Sequence, residues 1–464
     1  EDIEKEDIAS DSGQTVQENV EGTAVSTEES QEISGTVRKD TDFPNVIMIQ
    51  LESFFDPQTV EGLVYSKDPI PNFHQLQEKY SSGYMLVPSV GAGTANTEFE
   101  VLTGMNLDFF GPGEYPYKTV LKETTCESIS YIMKKLDFTA HAIHNNDGTF
   151  YDRHIVFSQL GFDTFTPIEY MNRYETNPVG WAKDKVLQTY ITEALNATEG
   201  QDFIYTITVQ DHGAYPQTEV IQDPEIIVEG CDTEAEHFQM EYFVNQLYET
   251  DQFIGELIHE LSTWPEDVVV VMYGDHLPPM GFEEDEIDTG SLFQTPYVVW
   301  SNFDMERKEL NLEAYQMTAY VLERLNIHLG TMPRLHQKYM NMDAAERDEE
   351  AYLENMRLLE YDLLYGDKTA DEKKLESTDL QMGLDEIKIL DVGIEYGNLY
   401  VRGNYFTPSS RVFIDDSEQE TVYVSPYLLV VHNTELIPGE SFCLDVRQVG
   451  ADKIELGRTL TWEE

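Results

Sequence analysis

The sequence predicts an α/β domain with a mostly parallel sheet, followed by a small all-β domain. Short apolar runs alternate with helical patterns from residue 43 to about 345, as they do where parallel strands are joined by crossover helices. Polar, chemically competent residues follow directly on four of those runs, where parallel sheets carry their ligands. From about residue 380 the apolar period falls to 2 and turn residues split the chain into short strands.

Residues 1–42 hold 13 acidic and 3 basic residues, with no aromatic before Phe43, and read as a disordered acidic linker. The catalytic domain is expected over 43–345. Asn45–Leu51 (NVIMIQL) has the continuous apolarity of a buried parallel strand. Thr139–Ile143, Phe203–Val209, Val268–Tyr273 and Pro296–Trp300 are comparable runs, and helical patterns fall on Glu127–Lys135, Trp181–Leu195, Glu241–Leu261 and Leu312–Leu325. A charged helical connector is expected over 346–379. The β-sandwich-like domain, 380–464, draws on Ile387–Val392, Leu399–Tyr405, Val412–Ile414, Val422–Val431 and Leu456–Trp462. No internal repeat is visible.

The 464 residues allow two to four domains, and 41% hydrophobic content is too high for a wholly disordered chain. With 29 Lys+Arg against 88 Asp+Glu, a net charge of −59 excludes nucleic acid as a partner and disfavours polybasic docking on anionic lipid. An anionic substrate would need a metal or a few placed cations. Cys126, Cys231 and Cys443 form no CxxC pair, which argues against a zinc cluster or a disulfide scaffold. No run is long and apolar enough to span a membrane, and a chain beginning at Glu1 reads as processed, with any anchor removed.

Glu52 follows the first strand, His144 the next, Asp211-His212 the third and Asp275-His276 the fourth. A strand, a Gly turn, then Asp-His presents a carboxylate and an imidazole at one point, a set suited to Mn²⁺ or Zn²⁺ more than Ca²⁺. Glu52 adds a second carboxylate. In Val90–Phe99 (VGAGTANTEF) small residues lead into a helix opened by Thr94. A hydroxyl there sits at a positive helix end, a ready phosphate site, and a metal would make it a nucleophile. The same Thr also suits an ordinary N-cap. Arg153 can bind a phosphate or sulfate, Tyr151 can offer an aromatic face, and His144 and His212 can bind or protonate oxygens.

In this order, NVIMIQLES, GTANTEF, His144-x6-Tyr151-x-Arg153, Asp211-His212 and Tyr273–His276 (YGDH) resemble the lipoteichoic acid synthase family, sulfatase-fold phosphoglycerol transferases of Gram-positive bacteria within the alkaline phosphatase superfamily. The resemblance spans roughly residues 43–345. It implies a three-layer sandwich around a mostly parallel sheet. It also implies one Mn²⁺, with Mg²⁺ or Zn²⁺ as alternatives, on Glu52, Thr94, Asp275 and His276. Substrate contacts would fall on His144, Tyr151, Arg153 and His212. The aromatic position is often Trp in the family and is Tyr151 here; an acidic position two after the His is Asn146.

The implied reaction moves glycerophosphate from phosphatidylglycerol through a covalent phosphothreonine to a glycerophosphate polymer or glycolipid. The implied location is the extracellular face of the membrane, behind a missing N-terminal transmembrane region. The C-terminal β domain is outside the family pattern. Other readings are a phosphodiesterase, a phosphoethanolamine-type transferase, a sulfatase and a non-catalytic cell-wall binding protein. Cys126 lacks the Pro and Arg of a C/S-x-P-x-R formylglycine motif.

Overall fold

The computed structural model describes residues 43–370, 374–434, 436 and 441–463, so the acidic linker expected over 1–42 lies outside the described residues. The strands of the central sheet are β1 (Asn45–Leu51), β2 (Ser81–Leu86), β3 (Thr139–His144), β4 (Thr164–Pro167), β5 (Asp202–Ile207), β6 (Val268–Gly274), β7 (Gln294–Ser301), β8 (Leu312–Glu313) and β9 (Gln381–Met382). Their order is β8-β2-β7-β6-β1-β5-β3-β4-β9. Only β7 runs antiparallel to its neighbours, β2 and β6. The sheet is therefore mostly parallel, as predicted.

All seven residues of β1 are buried. Val46 and Met48 enter one core, with Phe99 and Tyr205; Ile47, Ile49 and Leu51 enter the other, with Phe243 and Leu257. Burial on both faces is why the strand reads as an unbroken apolar run, and it makes the domain a three-layer sandwich. β2 (SSGYML) and β4 (TFTP) lack such runs and were not predicted; the first is only partly buried and the second is four residues long.

Helix boundaries shift for local reasons. The helix predicted from Glu241 begins at Glu234, behind a capping box of Thr233 and Glu236 in a polar stretch with no periodicity to read. The helix predicted from Trp181 begins at Lys185, because 181–184 serve the site described below. Leu312–Leu325 divides into β8, a 3₁₀ turn and the helix Met317–Arg324. Among the described residues no helix is long and apolar enough to cross a membrane.

The helix Glu349–Leu364 leads to β9, which pairs with β4 at the sheet edge. Beyond it the chain is all β. One antiparallel sheet holds Lys388–Glu395, Asn398–Asn404, Leu428–Val431 and Thr421–Ser425, and another is built on Ser410–Ile414, Cys443–Val449 and Glu455–Arg458. Leu399, Val401, Val412, Leu429, Leu444 and Val446 form a core of their own. The predicted run Val422–Val431 is a hairpin turning at Pro426-Tyr427. Cross-links to the catalytic domain include Thr407 Oγ1 donating to Glu169 O (2.5 Å) and Tyr423 Oη donating to Asn172 Oδ1 (2.7 Å).

Candidate active site

Register brings the first two carboxylates together. Leu51 of β1 lies opposite Gly274 of β6, so the next residues, Glu52 and Asp275, stand abreast on neighbouring strands. A side chain at 274 would put its Cβ 1.9 Å from Phe54 O, so only Gly allows the turn that delivers Asp275. Glu52, Asp275 and His276 form a buried three-ligand group, its donor atoms within 4.8 Å of one another. His276 Nε2 lies 3.4 Å from Asp275 Oδ2 and 3.8 Å from Glu52 Oε1. His276 Nδ1 faces Leu277 O at 2.9 Å, which places the ring proton on Nδ1 and leaves the Nε2 lone pair facing the carboxylates. Asp275 Oδ1 accepts from Ser53 N–H at 2.8 Å, whereas the buried Oδ2 has no hydrogen-bond partner. Burial, then the charge of Glu52, raises Asp275 to about 7. Burial opposes a charged His276, but Asp275 and Glu52 outweigh it and raise its pKa. A divalent cation fits this donor set: it would neutralise the two carboxylates and occupy the orphaned oxygen and the free nitrogen.

Thr94 opens the helix Thr94–Thr103, all ten residues of which are buried. Its Oγ1 donates to Glu52 Oε2 at 3.2 Å. The preceding Gly93 has φ +102, and a Cβ there would meet Ser89 Oγ at 2.7 Å. No side chain caps this helix, so its positive end stays open beside the hydroxyl.

His144 ends β3, level with Ile207 of β5. Its Nδ1 pairs with Ile207 O at 2.9 Å, again leaving Nε2 free. Burial and the nearby Arg153, with a smaller contribution from His212, push it well below the usual histidine range, so the ring is neutral. Arg153 is 1% exposed and held by Glu98: Nε donates to Oε2 at 3.2 Å and Nη2 to Oε1 at 2.5 Å. Nη1 donates to Phe150 O at 3.3 Å, leaving two guanidinium N–H groups for a ligand. Tyr151 covers Arg153, 5.2 Å from ring centroid to guanidinium carbon, and stacks on Tyr115 at 5.9 Å. His212 lies against Trp181 at 4.7 Å between centroids.

The structure thus brings Glu52, Thr94, Asp275 and His276 together, and His144, Arg153 and Tyr151 into an adjoining group. Residues that sequence reasoning missed hold these in place. Glu98 anchors Arg153. Asp184, pushed up to about 6 by burial, accepts from Asn145 Nδ2, Val209 N–H and Gln210 N–H, tying the loops after β3 and β5 together. Asp211, named with His212 in the sequence, is fully buried with both oxygens unpartnered, and burial and Asp184 raise its pKa well above the usual range. The Glu of GTANTEF was visible as a motif member, but nothing local marks it as the partner of an arginine 55 residues away.

The Sulfatase family profile matches residues 44–323. The chain is 25% identical over 371 residues to a protein of Rhizobium meliloti (strain 1021) named for cyclic beta-1,2-glucan modification, covering 72% of this chain and 57% of that protein. It is 28% identical over 262 residues to a lipoteichoic acid synthase of Staphylococcus saprophyticus, covering 54% of this chain and 38% of that one. The matched region is therefore less than two thirds of either relative. Among solved structures, the Streptococcus pyogenes phosphoglycerol transferase GacH, in complex with sn-glycerol-1-phosphate, is similar with a TM-score of 0.62 and 25% identity, covering 71% of this chain and 88% of that chain.

Proposed function

Because the chain belongs to the sulfatase family, we propose that it is a metal-dependent phosphoglycerol transferase that moves glycerophosphate from phosphatidylglycerol, through a covalent glycerophosphoryl-Thr94, to a polymer or glycolipid acceptor. The observation that carries this reading is the buried Glu52–Asp275–His276 group with Thr94 Oγ1 bonded to it at an open helix end. The similarity to GacH, a phosphoglycerol transferase, supports the group transferred. The metal would be held by Glu52, Thr94, Asp275 and His276, with Mn²⁺ preferred over Mg²⁺ or Zn²⁺, and when bound supplies Lewis-acid lowering of the hydroxyl pKa.

Each of this chain's residues has a task. Thr94 Oγ1 gives its proton to Glu52 Oε2 and attacks phosphorus, the bond from phosphorus to the diacylglycerol oxygen breaks, and the helix end and the two spare Arg153 N–H groups bind the phosphoryl oxygens. His212 gives a proton to the departing oxygen. Neutral His144 accepts a hydrogen bond at Nε2 from a substrate hydroxyl. In the second half an acceptor hydroxyl gives its proton to His212 and attacks phosphorus, the bond from phosphorus to Thr94 breaks, and Thr94 Oγ1 takes its proton back from Glu52. Tyr151 and Tyr115 wall the site. We assign residues 43–345 to the catalytic domain, 346–379 to the connector and 380–464 to the β domain of an extracellular, membrane-associated enzyme, with Gln381–Met382 at the start of the last segment lending the catalytic sheet its edge strand.

Among the described residues a single three-ligand group exists, which favours one metal over a two-metal hydrolase. Cys126 is 1% exposed against Met105, away from the carboxylates, and offers no sulfatase nucleophile. The test is incubation with fluorescent phosphatidylglycerol and Mn²⁺. Wild type should release diacylglycerol and carry a glycerophosphoryl mass on Thr94; Thr94→Ala should do neither. Equal release by both would refute the Thr94 role, and turnover of a sulfate ester without lipid cleavage would refute the reaction class.

A further inference from the structure

A cleft of about 1000 Å³ runs between the edge of the catalytic domain and the β domain. The helix Lys185–Ala197, the segment after β4 and Tyr405 of the β domain line it. Its volume is at the top of the usual range for ligand clefts. Tyr170, Tyr174, Tyr190 and Tyr405 give it aromatic walls, and Tyr405 is 47% exposed. Thr166, 1% exposed, is among its lining residues, and its buried Oγ1 has no hydrogen-bond partner. Asn172, another lining residue, is fixed from both domains: its N–H donates to Tyr190 Oη and its Oδ1 accepts from Tyr423 Oη, each at 2.7 Å.

The charge balance of the cleft differs from that of the chain. Arg173, Lys183 and Lys185 are matched in the lining by Glu175, Glu193 and Asp385, while the whole sequence carries −59. Lys183 and Lys185 are also paired with Glu249 and Glu256. Such a lining offers no surplus of cations to a polyanion. Aromatic faces, amides and hydroxyls without net charge suit an uncharged, hydroxyl-rich ring system, whose C–H faces stack on tyrosines and whose hydroxyls bond to Asn, Gln and Thr. The cleft also adjoins the candidate site. Trp181 packs on His212, Lys183 two residues later lines the cleft, and Asn145, next to His144, donates to Ala182 O at 3.2 Å.

We propose that this interdomain cleft binds a neutral glycan, the acceptor whose hydroxyl receives the glycerophosphate, and that the β domain supplies one wall of it. The word acceptor rests on the phosphoglycerol transferase reading; the binding of a glycan does not. The experiment uses the full chain and isothermal calorimetry with a panel of uncharged gluco-oligosaccharides headed by cyclic β-1,2-glucan, with polyglycerophosphate alongside. Wild type should bind a neutral glycan, and Tyr405→Ala should weaken it by about tenfold, the usual loss for one aromatic anchor. Tyr396→Ala, at a 99% exposed tyrosine outside the cleft, should bind as wild type. Diacylglycerol release without acceptor should be the same in Tyr405→Ala as in wild type. Absence of binding to every neutral glycan, undiminished binding by Tyr405→Ala, or tighter binding of polyglycerophosphate would each overturn the proposal. Glycan binding with no lipid cleavage would instead overturn the transferase reading and leave the cleft's ligand standing.

Discussion

The Glu98–Arg153 pair gives the sharpest test of how the site is held. Both side chains are at most 1% exposed, and two bonds of 3.2 and 2.5 Å join them. Replacing Glu98 by Leu leaves a guanidinium buried without its counter-charge, which costs about 3–5 kcal/mol. For a folded chain of about 400 residues that lowers Tm by roughly 4–6 °C. Arg153→Met alone should be destabilising by a similar amount, since Glu98 is then the orphan. The Glu98→Leu/Arg153→Met double variant should recover most of the loss, because an apolar pair of similar volume removes both desolvated charges. Urea and thermal unfolding by circular dichroism on the four proteins measure the coupling. A Glu98→Leu loss below about 1 kcal/mol, with the double variant equal to the sum of the singles, would refute the claim that this pair is a desolvated, mutually dependent unit.

Four further outcomes are expected. In the metal-free chain Asp275 is raised to about 7 and His276 is raised as well, so below pH 7 Mn²⁺ must displace protons from this pair: calorimetric affinity should fall at least tenfold per pH unit from 7 to 5, and a flat profile would contradict it. Glu360, whose Oε2 accepts from Asn106 N–H, is raised by burial to about 8. A folded pKa above the unfolded value means an acid whose burial destabilises increasingly as pH rises from about 4.5 to 8; Glu360→Gln should raise stability by about 2–4 kcal/mol at pH 8.5 and little at pH 4.5, and equal melting shifts at both would refute this. Trp181→Ala, removing the ring packed on His212, should lower kcat more than it raises KM for lipid cleavage; an effect confined to KM would mean that Trp181 serves binding alone. Calorimetry should show sn-glycerol-1-phosphate binding the Mn²⁺-loaded chain at least tenfold tighter than the metal-free chain, because without a cation the anion meets the buried carboxyl groups of Glu52 and Asp275 while Arg153 is already paired with Glu98.

Most of the architecture was legible because burial on both faces leaves a mark in the sequence. β1 and β6 are near-continuous apolar runs and β3 and β5 are mostly so, and each is followed by, or ends on, a polar residue at the site. β2 and β4 left no such mark, one being partly exposed and the other too short. The carboxylate–imidazole cluster was readable because register converts two strand ends into neighbours: knowing how β1 and β6 pair would have been enough to place Glu52 beside Asp275. Glu98 and Asp184 were not readable. Their partners lie 55 and about 25–66 residues away, and a buried carboxylate on a helix face or in a loop looks in sequence like any exposed one.

The acidity that opened as an exclusion is better understood as a constraint on where phosphate can be held. A net charge of −59 over the sequence disfavours anions at long range, so the charges that attract a phosphate must be placed locally inside the fold, where a low dielectric magnifies a few of them. Arg153 is such a charge, yet Glu98 neutralises it on one side and leaves only the edge facing His144 and Tyr151. His144 is kept neutral by burial and by the same arginine, and contributes a lone pair, not a cation. What remains for an anion is an uncapped helix end and whatever charge the Glu52–Asp275–His276 group acquires on binding a cation. On the proposed reading, selectivity for phosphate over other anions would rest on the metal and the helix end acting together. An acceptor with no charge of its own, held in a charge-balanced cleft, can reach that point without meeting the repulsion that a polyanion would.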